Sequence, residues 1–146
     1  MAGEVVATAS AADAAYVRAL GAHRIVDARS SGFEQGLGVF DVVLDTIGGE
    51  PQERSFALLK PGGVMVSAVS TPDREKAARH GVRAFFFLVE VSAERLAGIA
   101  ALVVAGELRT SVGDVLPLDA ARLAHEMLEG KPHKRGKIVL AADTSA

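Results

Sequence analysis

The sequence predicts an α/β fold, a mostly parallel sheet with helices on both faces. Three observations lead there. Short β-branched and aliphatic runs alternate with helix-favouring runs, in the order strand, helix, strand, strand, helix, strand, strand, helix. The 146 residues suit one domain and are enough to bury a core. Hydrophobic residues make up 49% of the chain and mean hydropathy is +0.26, as packed α/β layers require.

Each element has its own signal. Glu4–Ala9 is short, apolar and β-branched, and reads as a strand. Ser10 suits an N-cap for a helix over Ala11–Leu20, Gly21 its stop, and Ala14, Val17 and Leu20 its buried stripe. His23–Asp27 is a second strand, and Ser30–Gly38 is mostly loop. Phe40–Ile47 is the clearest strand: Val42, Val43 and Leu44 are consecutive and apolar, as in a sheet covered on both faces. Gly48-Gly49 breaks it, and Glu50–Leu59 reads as a helix with Phe56 and Leu59 inward. Lys60–Gly63 is a Pro-Gly turn before the strand Val64–Val69. Thr71–Gly81 is charged, with a short helix behind Pro72, and Ala84–Glu90 is an apolar strand. Ser92 caps a helix to Ala105, with Leu96, Ile99 and Val103 on one face and Gly106 as its stop. Then come the strand Val112–Leu116, the helix Leu118–Leu128, the basic turn Lys131–Gly136 and the strand Lys137–Ala142; Thr144–Ala146 is expected to fray.

Composition excludes several functions. With 16 Lys and Arg against 18 Asp and Glu, the net charge of -2 lacks the basic footprint of a general nucleic-acid binder. Without Cys there is no disulfide scaffold, no Cys-ligated zinc and no thiol nucleophile. His23, His80, His125 and His133 lack metal-ligand spacing. No G-x-S-x-G turn marks a hydrolase. No apolar run approaches a bilayer span, and the N-terminus lacks signal-peptide features. The expectation is a soluble cytoplasmic protein without a membrane or nucleic-acid partner.

Several segments in register carry a resemblance. Leu44-Asp45-Thr46-Ile47-Gly48-Gly49, Leu58-Leu59-Lys60-Pro61-Gly62-Gly63 and Arg135-Gly136-Lys137-Ile138-Val139-Leu140 look like the C-terminal half of a medium-chain dehydrogenase/reductase. The branch they resemble is the quinone-oxidoreductase-like enzymes, which use NADPH and no zinc. Tyr16–Ala22 and Ala84–Val89 are similar to that branch as well, so the resemblance runs from about Glu4 to Leu140. It implies a Rossmann-like nucleotide-binding domain over residues 1–106. Residues 107–146 form a strand-helix-strand tail that packs on the catalytic domain in the family.

The departures matter. In the family a first strand and a Gly-rich turn hold the pyrophosphate. This chain starts at the equivalent of the second strand, and its Gly36 and Gly38 open a strand and not a helix. The family's order puts the missing strand mid-sheet, where its absence leaves two rows of unpaired backbone groups. A second copy of the chain, or the missing catalytic domain, is the expected partner. Apolar Ala84–Val89 is a further association edge.

The resemblance also implies the site. Thr8, Ser10 and Tyr16 fall where the adenosine ribose is read; small hydroxylated residues admit the 2′-phosphate of NADPH, although Asp13 follows where the family often has Lys. Thr46, Ile47 and Gly48 fall at the nicotinamide ribose, with Val69 and Ser70 lining the same crevice. Phe86, Phe87 and Leu88 meet the carboxamide, and Lys137 the phosphate or the substrate side. For each there is a plain alternative: Ser10 as a cap, Tyr16 and the Phe triplet as packing, Asp45 satisfied by backbone amides, Lys137 solvated. The reading is a part of an NAD(P)H-dependent quinone or enone reductase that does not turn over alone. The alternative is a non-catalytic dimerisation or interaction module built on the same fold.

Overall fold

Every strand pair is parallel, as the alternation of strand and helix requires. The protein, seen in a computed structural model, is described over residues 3–27, 30 and 32–142; Thr144–Ala146 lies outside these residues. The chain divides into two compact units, Met1–Val89 and Glu90–Ala146.

The first unit runs β1 (Val6–Ala9), α1 (Ala14–Ala19), β2 (Arg24–Asp27), β3 (Phe40–Asp45), α2 (Gly49–Ser55), a 3-10 turn (Phe56–Leu58), β4 (Leu59–Ser67), α3 (Arg74–Arg79) and β5 (Arg83–Phe86). The second runs α4 (Ala93–Val104), β6 (Val112–Pro117), a 3-10 turn (Leu118–Ala120), α5 (Ala121–Leu128) and β7 (Lys137–Ala141). This is the expected α/β, Rossmann-like sequence of elements. Its ladders are β1–β2, β3–β4–β5 and β6–β7.

Several local expectations change. Ser10 is not the helix cap: α1 starts four residues later, with Asp13 in the N-cap position, because Ala11–Asp13 close a turn in which Asp13 N donates to Ser10 O at 3.0 Å. None of Ala14, Val17 and Leu20 is buried, and Leu20 is 65% exposed. Lys60–Gly63 is not a free turn but a bulge inside β4: Phe40 pairs with Leu59 and Val42 with Val64, so the extra residues loop out of the ladder. The helix expected over Glu50–Leu59 ends at Ser55 and tightens into a 3-10 turn, with Leu59 already in β4, and the strand expected over Ala84–Glu90 ends at Phe86. Asp73 caps α3 and Ser92 caps α4, each side chain accepting the amide three residues on.

The core of the first unit is Phe56, Leu59, Met65, Ala77 and Val82, with Val43 and Ala84 packed on it. Phe56 is fully buried, with the His80 ring stacked at 6.1 Å and Lys76 Nζ 5.7 Å from its centroid. The rung Val43–Met65–Ala84 faces this core. The next rung, Leu44–Val66–Phe85, faces the opposite way, and Leu44 is 66% exposed. The expectation that Val42, Val43 and Leu44 are covered on both faces is therefore not met within this unit.

Among the described residues β1 pairs only with β2, and β3 only with β4. Their free edges do not close on each other. Both line one groove of about 950 Å³, whose lining includes Val6, Ala7 and Thr8 of β1 and Val42, Val43 and Leu44 of β3.

Candidate functional site

Three parallel strands of the first unit end in one plane. Asp45 closes β3 and pairs in register with Ser67, the last residue of β4, which pairs with Phe86 at the end of β5. Carboxyl ends of parallel strands are where open α/β sheets bind ligands.

Asp45 is buried, and four donors saturate its carboxylate. Oδ1 accepts from Ile47 N at 3.0 Å and Gly48 N at 2.9 Å. Oδ2 accepts from Gln52 Nε2 and Ser67 Oγ, both at 2.7 Å. Burial pushes the carboxyl up, but the bonds from Gly48, Ser67, Ile47 and Gln52 together outweigh it and hold Asp45 below the usual carboxylate range. Ser67 Oγ in turn accepts from Val69 N and Ser70 N, both at 3.2 Å. Asp45 thus shapes the turn after β3, and Ser67 the turn after β4.

The two turns touch. Gly48 has φ 76 and ψ -167, a conformation open essentially to glycine alone. A Cβ there would stand 3.2 Å from Ser70 Oγ and 3.4 Å from Val69 Cγ1. Phe87 N donates to Ser67 O at 3.1 Å, which brings the end of β5 to the same place.

Of the residues expected at a site, the structure gathers Thr46, Ile47, Gly48, Val69, Ser70, Phe86 and Phe87 around these strand ends. Thr8 lies at the groove shared with Thr46 and Ile47. Leu88 is 77% exposed beyond the end of β5. Ser10 donates to Asp13 Oδ2 at 2.6 Å, and Tyr16 is half-buried on α1. Lys137 begins β7, in the second unit, and is exposed. Sequence reasoning missed Gln52 and Ser67. Their signal was faint: each is a polar residue at the spacing of a buried apolar one, Ser67 two after Met65 on a strand and Gln52 four before Phe56. Among the described residues no three His, Cys, Asp or Glu side chains gather as metal ligands.

The comparisons bear on the fold and the family. The profile of the zinc-binding dehydrogenases matches residues 20–140. The Arthroderma benhamiae protein named "Probable zinc-binding oxidoreductase, mitochondrial" is 32% identical over 103 residues, covering 68% of this chain and 31% of that protein. The quinone oxidoreductase of Coxiella burnetii superposes with a TM-score of 0.85 at 30% identity, over 96% of this chain and 45% of that one. An NAD-dependent alcohol dehydrogenase gives 0.78 at 27% identity, over 96% and 44%. The chain spans less than half the length of each. It belongs to the zinc-binding dehydrogenase family of the medium-chain dehydrogenase/reductase superfamily, and matches the nucleotide-binding part of that family.

Proposed function

We propose that this chain forms the nicotinamide-facing wall of an NAD(P)H-dependent oxidoreductase of the quinone- or enone-reductase type, and that it has no independent turnover. The observation that carries the reading is the pair of touching turns at the carboxyl ends of β3 and β4, built on a buried, saturated carboxylate. A reduced nicotinamide, when bound, supplies the hydride. The chain's own residues bind and orient. The side chains of Thr46 and Ile47 are exposed and take no part in that network, so they are available to a ribose and an apolar ring face. Asp45 has all its bonds satisfied within the protein and a depressed pKa, so it shapes the turn and does not move a proton. The described residues do not assemble a zinc site, and no step here uses one.

The choice between dinucleotides turns on β1. The hydroxyls of Thr8 and Ser10 suit a 2′-phosphate, which favours NADPH. The Ser10–Asp13 bond, however, puts a carboxylate beside them, and a carboxylate repels that phosphate and reads ribose hydroxyls, which favours NADH. The groove between β1 and β3 supports a partner, a second copy or a catalytic domain, that supplies a strand between these edges.

Calorimetric titration with NADPH and NADH, with the oligomeric state measured in the same buffer, tests the reading. Micromolar binding of either supports it, and the tighter one names the cofactor. A folded chain that binds neither overturns it in favour of a non-catalytic interaction module. Quinone reduction by the chain alone at an ordinary enzyme rate would refute the absence of turnover.

A further inference from the structure

We propose that Gln52 is a positioning residue that fastens the 46–48 turn to the 68–70 turn, so that both act as one rigid lip. The functional half of this proposal rests on the nucleotide-binding reading above; the structural half does not.

Gln52 sits on α2 and is 3% exposed. Its Nε2 lies 2.7 Å from Asp45 Oδ2, 3.0 Å from Ser67 Oγ, 3.1 Å from Ser70 Oγ and 3.4 Å from Ser70 O. A carboxylate and a carbonyl can only accept, so chemistry fixes which end of the amide points into this cluster. Two N–H groups are shared among four oxygens, one at the end of β3, one at the end of β4 and two on Ser70 in the second turn. The division of labour is clear. Asp45 holds Ile47 and Gly48, Ser67 holds Val69 and Ser70, and Gln52 reaches Asp45, Ser67 and Ser70 at once, reinforcing the direct Ser67–Asp45 bond. It is also the donor to the Ser70 carbonyl and hydroxyl. A packing residue would need only volume here. The four-way donor adds a constraint that volume cannot replace.

The charges around it are accounted for. Asp45 is the ionisable group that Gln52 touches. Its helix neighbours are paired elsewhere, Glu53 with Lys76 at 2.7 Å, and Arg54 with Glu50 at 3.4 Å and Glu34 at 3.8 Å.

The test uses two variants and two readouts. Gln52→Leu keeps the bulk and removes the donors. Gln52→Glu places a second carboxyl against Asp45. Two such groups share one proton, so the pair's apparent pKa rises. Below it the protonated Glu still donates to Asp45; above it the two repel. The first readout is amide exchange by NMR, corrected for intrinsic rates. Gln52→Leu should speed exchange at both Ile47–Gly48 and Val69–Ser70 by roughly tenfold. Gln52→Glu, whose protonated carboxyl keeps one donor where the amide has two, should speed exchange further as pH rises, so a single folded protein reports a pH-dependent loss even if Gln52→Leu does not fold. The second readout is nucleotide affinity: about tenfold weaker in Gln52→Leu at every pH, and weakening with pH only in Gln52→Glu. Unchanged exchange at either turn in both variants overturns the coupling. Coupled exchange with unchanged affinity leaves a structural brace and overturns the positioning role. Wild-type protein that binds no nucleotide defeats the functional reading, while the exchange data still decide the coupling.

Discussion

Replacing Gly48 with alanine probes the most constrained backbone position of the candidate site. Its φ of 76 with ψ of -167 lies in a region closed to L-residues, at a strain of roughly 1–3 kcal/mol. The new Cβ also meets Ser70 Oγ at 3.2 Å and Val69 Cγ1 at 3.4 Å, so the second turn must give way. If the turn moves, the 2.9 Å bond from Gly48 N to buried Asp45 weakens, and an unsatisfied buried group costs about 1–3 kcal/mol more. The combined expectation is about 2–6 kcal/mol. Gly49 is the internal control: its φ of +57 is positive as well, but a Cβ there meets nothing within 4 Å. Gly49→Ala should cost about 1–2 kcal/mol. For a unit of this size each kcal/mol moves the melting temperature by about 4–8 °C. Thermal melts by far-ultraviolet circular dichroism should therefore drop by at least about 8 °C for Gly48→Ala, and by less for Gly49→Ala. A Gly48→Ala protein melting with the wild type, or above Gly49→Ala, would refute the reasoning.

Other expectations follow from the same contacts. Phe56→Ala empties the fully buried centre of the core and should cost about 3–5 kcal/mol in a denaturant titration, unless the site collapses. Because Asp45 is held below its ordinary 3.8, its bonds stabilise fully above that value and are lost as pH falls through the folded pKa. The melting temperature should therefore fall with acid in this range. Asp45→Asn should remove that step while being less stable at neutral pH, where its amide nitrogen faces the Gln52 donor. Ser92→Ala removes the α4 cap, which accepts Arg95 N at 3.2 Å, and should cost about 1 kcal/mol, whereas Ser92→Gly should cost only a few tenths.

The sequence made legible what depends on neighbours. Val42-Val43-Leu44 announced β3, Phe56 and Leu59 turned inward, and Gly48-Gly49 and Ser92 marked the ends of elements. What stayed hidden depends on contacts between distant residues. Ser10 has the right chemistry for a cap, yet a local turn gave that place to Asp13. Lys60–Gly63 reads as a loop on its own and becomes part of a strand only because Phe40 pairs with Leu59. Gln52 lies 15 residues from Ser67 and 18 from Ser70, and its role exists only once β3, β4 and α2 are in place. The exposed Val42 and Leu44 could not be foreseen from their run, because coverage is a property of neighbouring elements and not of the strand itself.

The open edges of β1 and β3 bear on how the chain folds as well as on what it binds. Every ladder among the described residues joins strands adjacent in sequence, β1 to β2, β3 to β4, β4 to β5 and β6 to β7. Closing such loops costs little entropy, so each ladder should form fast. A strand inserted between β1 and β3 would add pairings of long sequence separation and merge two early-forming pieces into one cooperative transition. Until then, native-state hydrogen exchange should find β1–β2 opening at a lower free energy than β3–β4–β5, whose rungs rest on Phe56 and Met65.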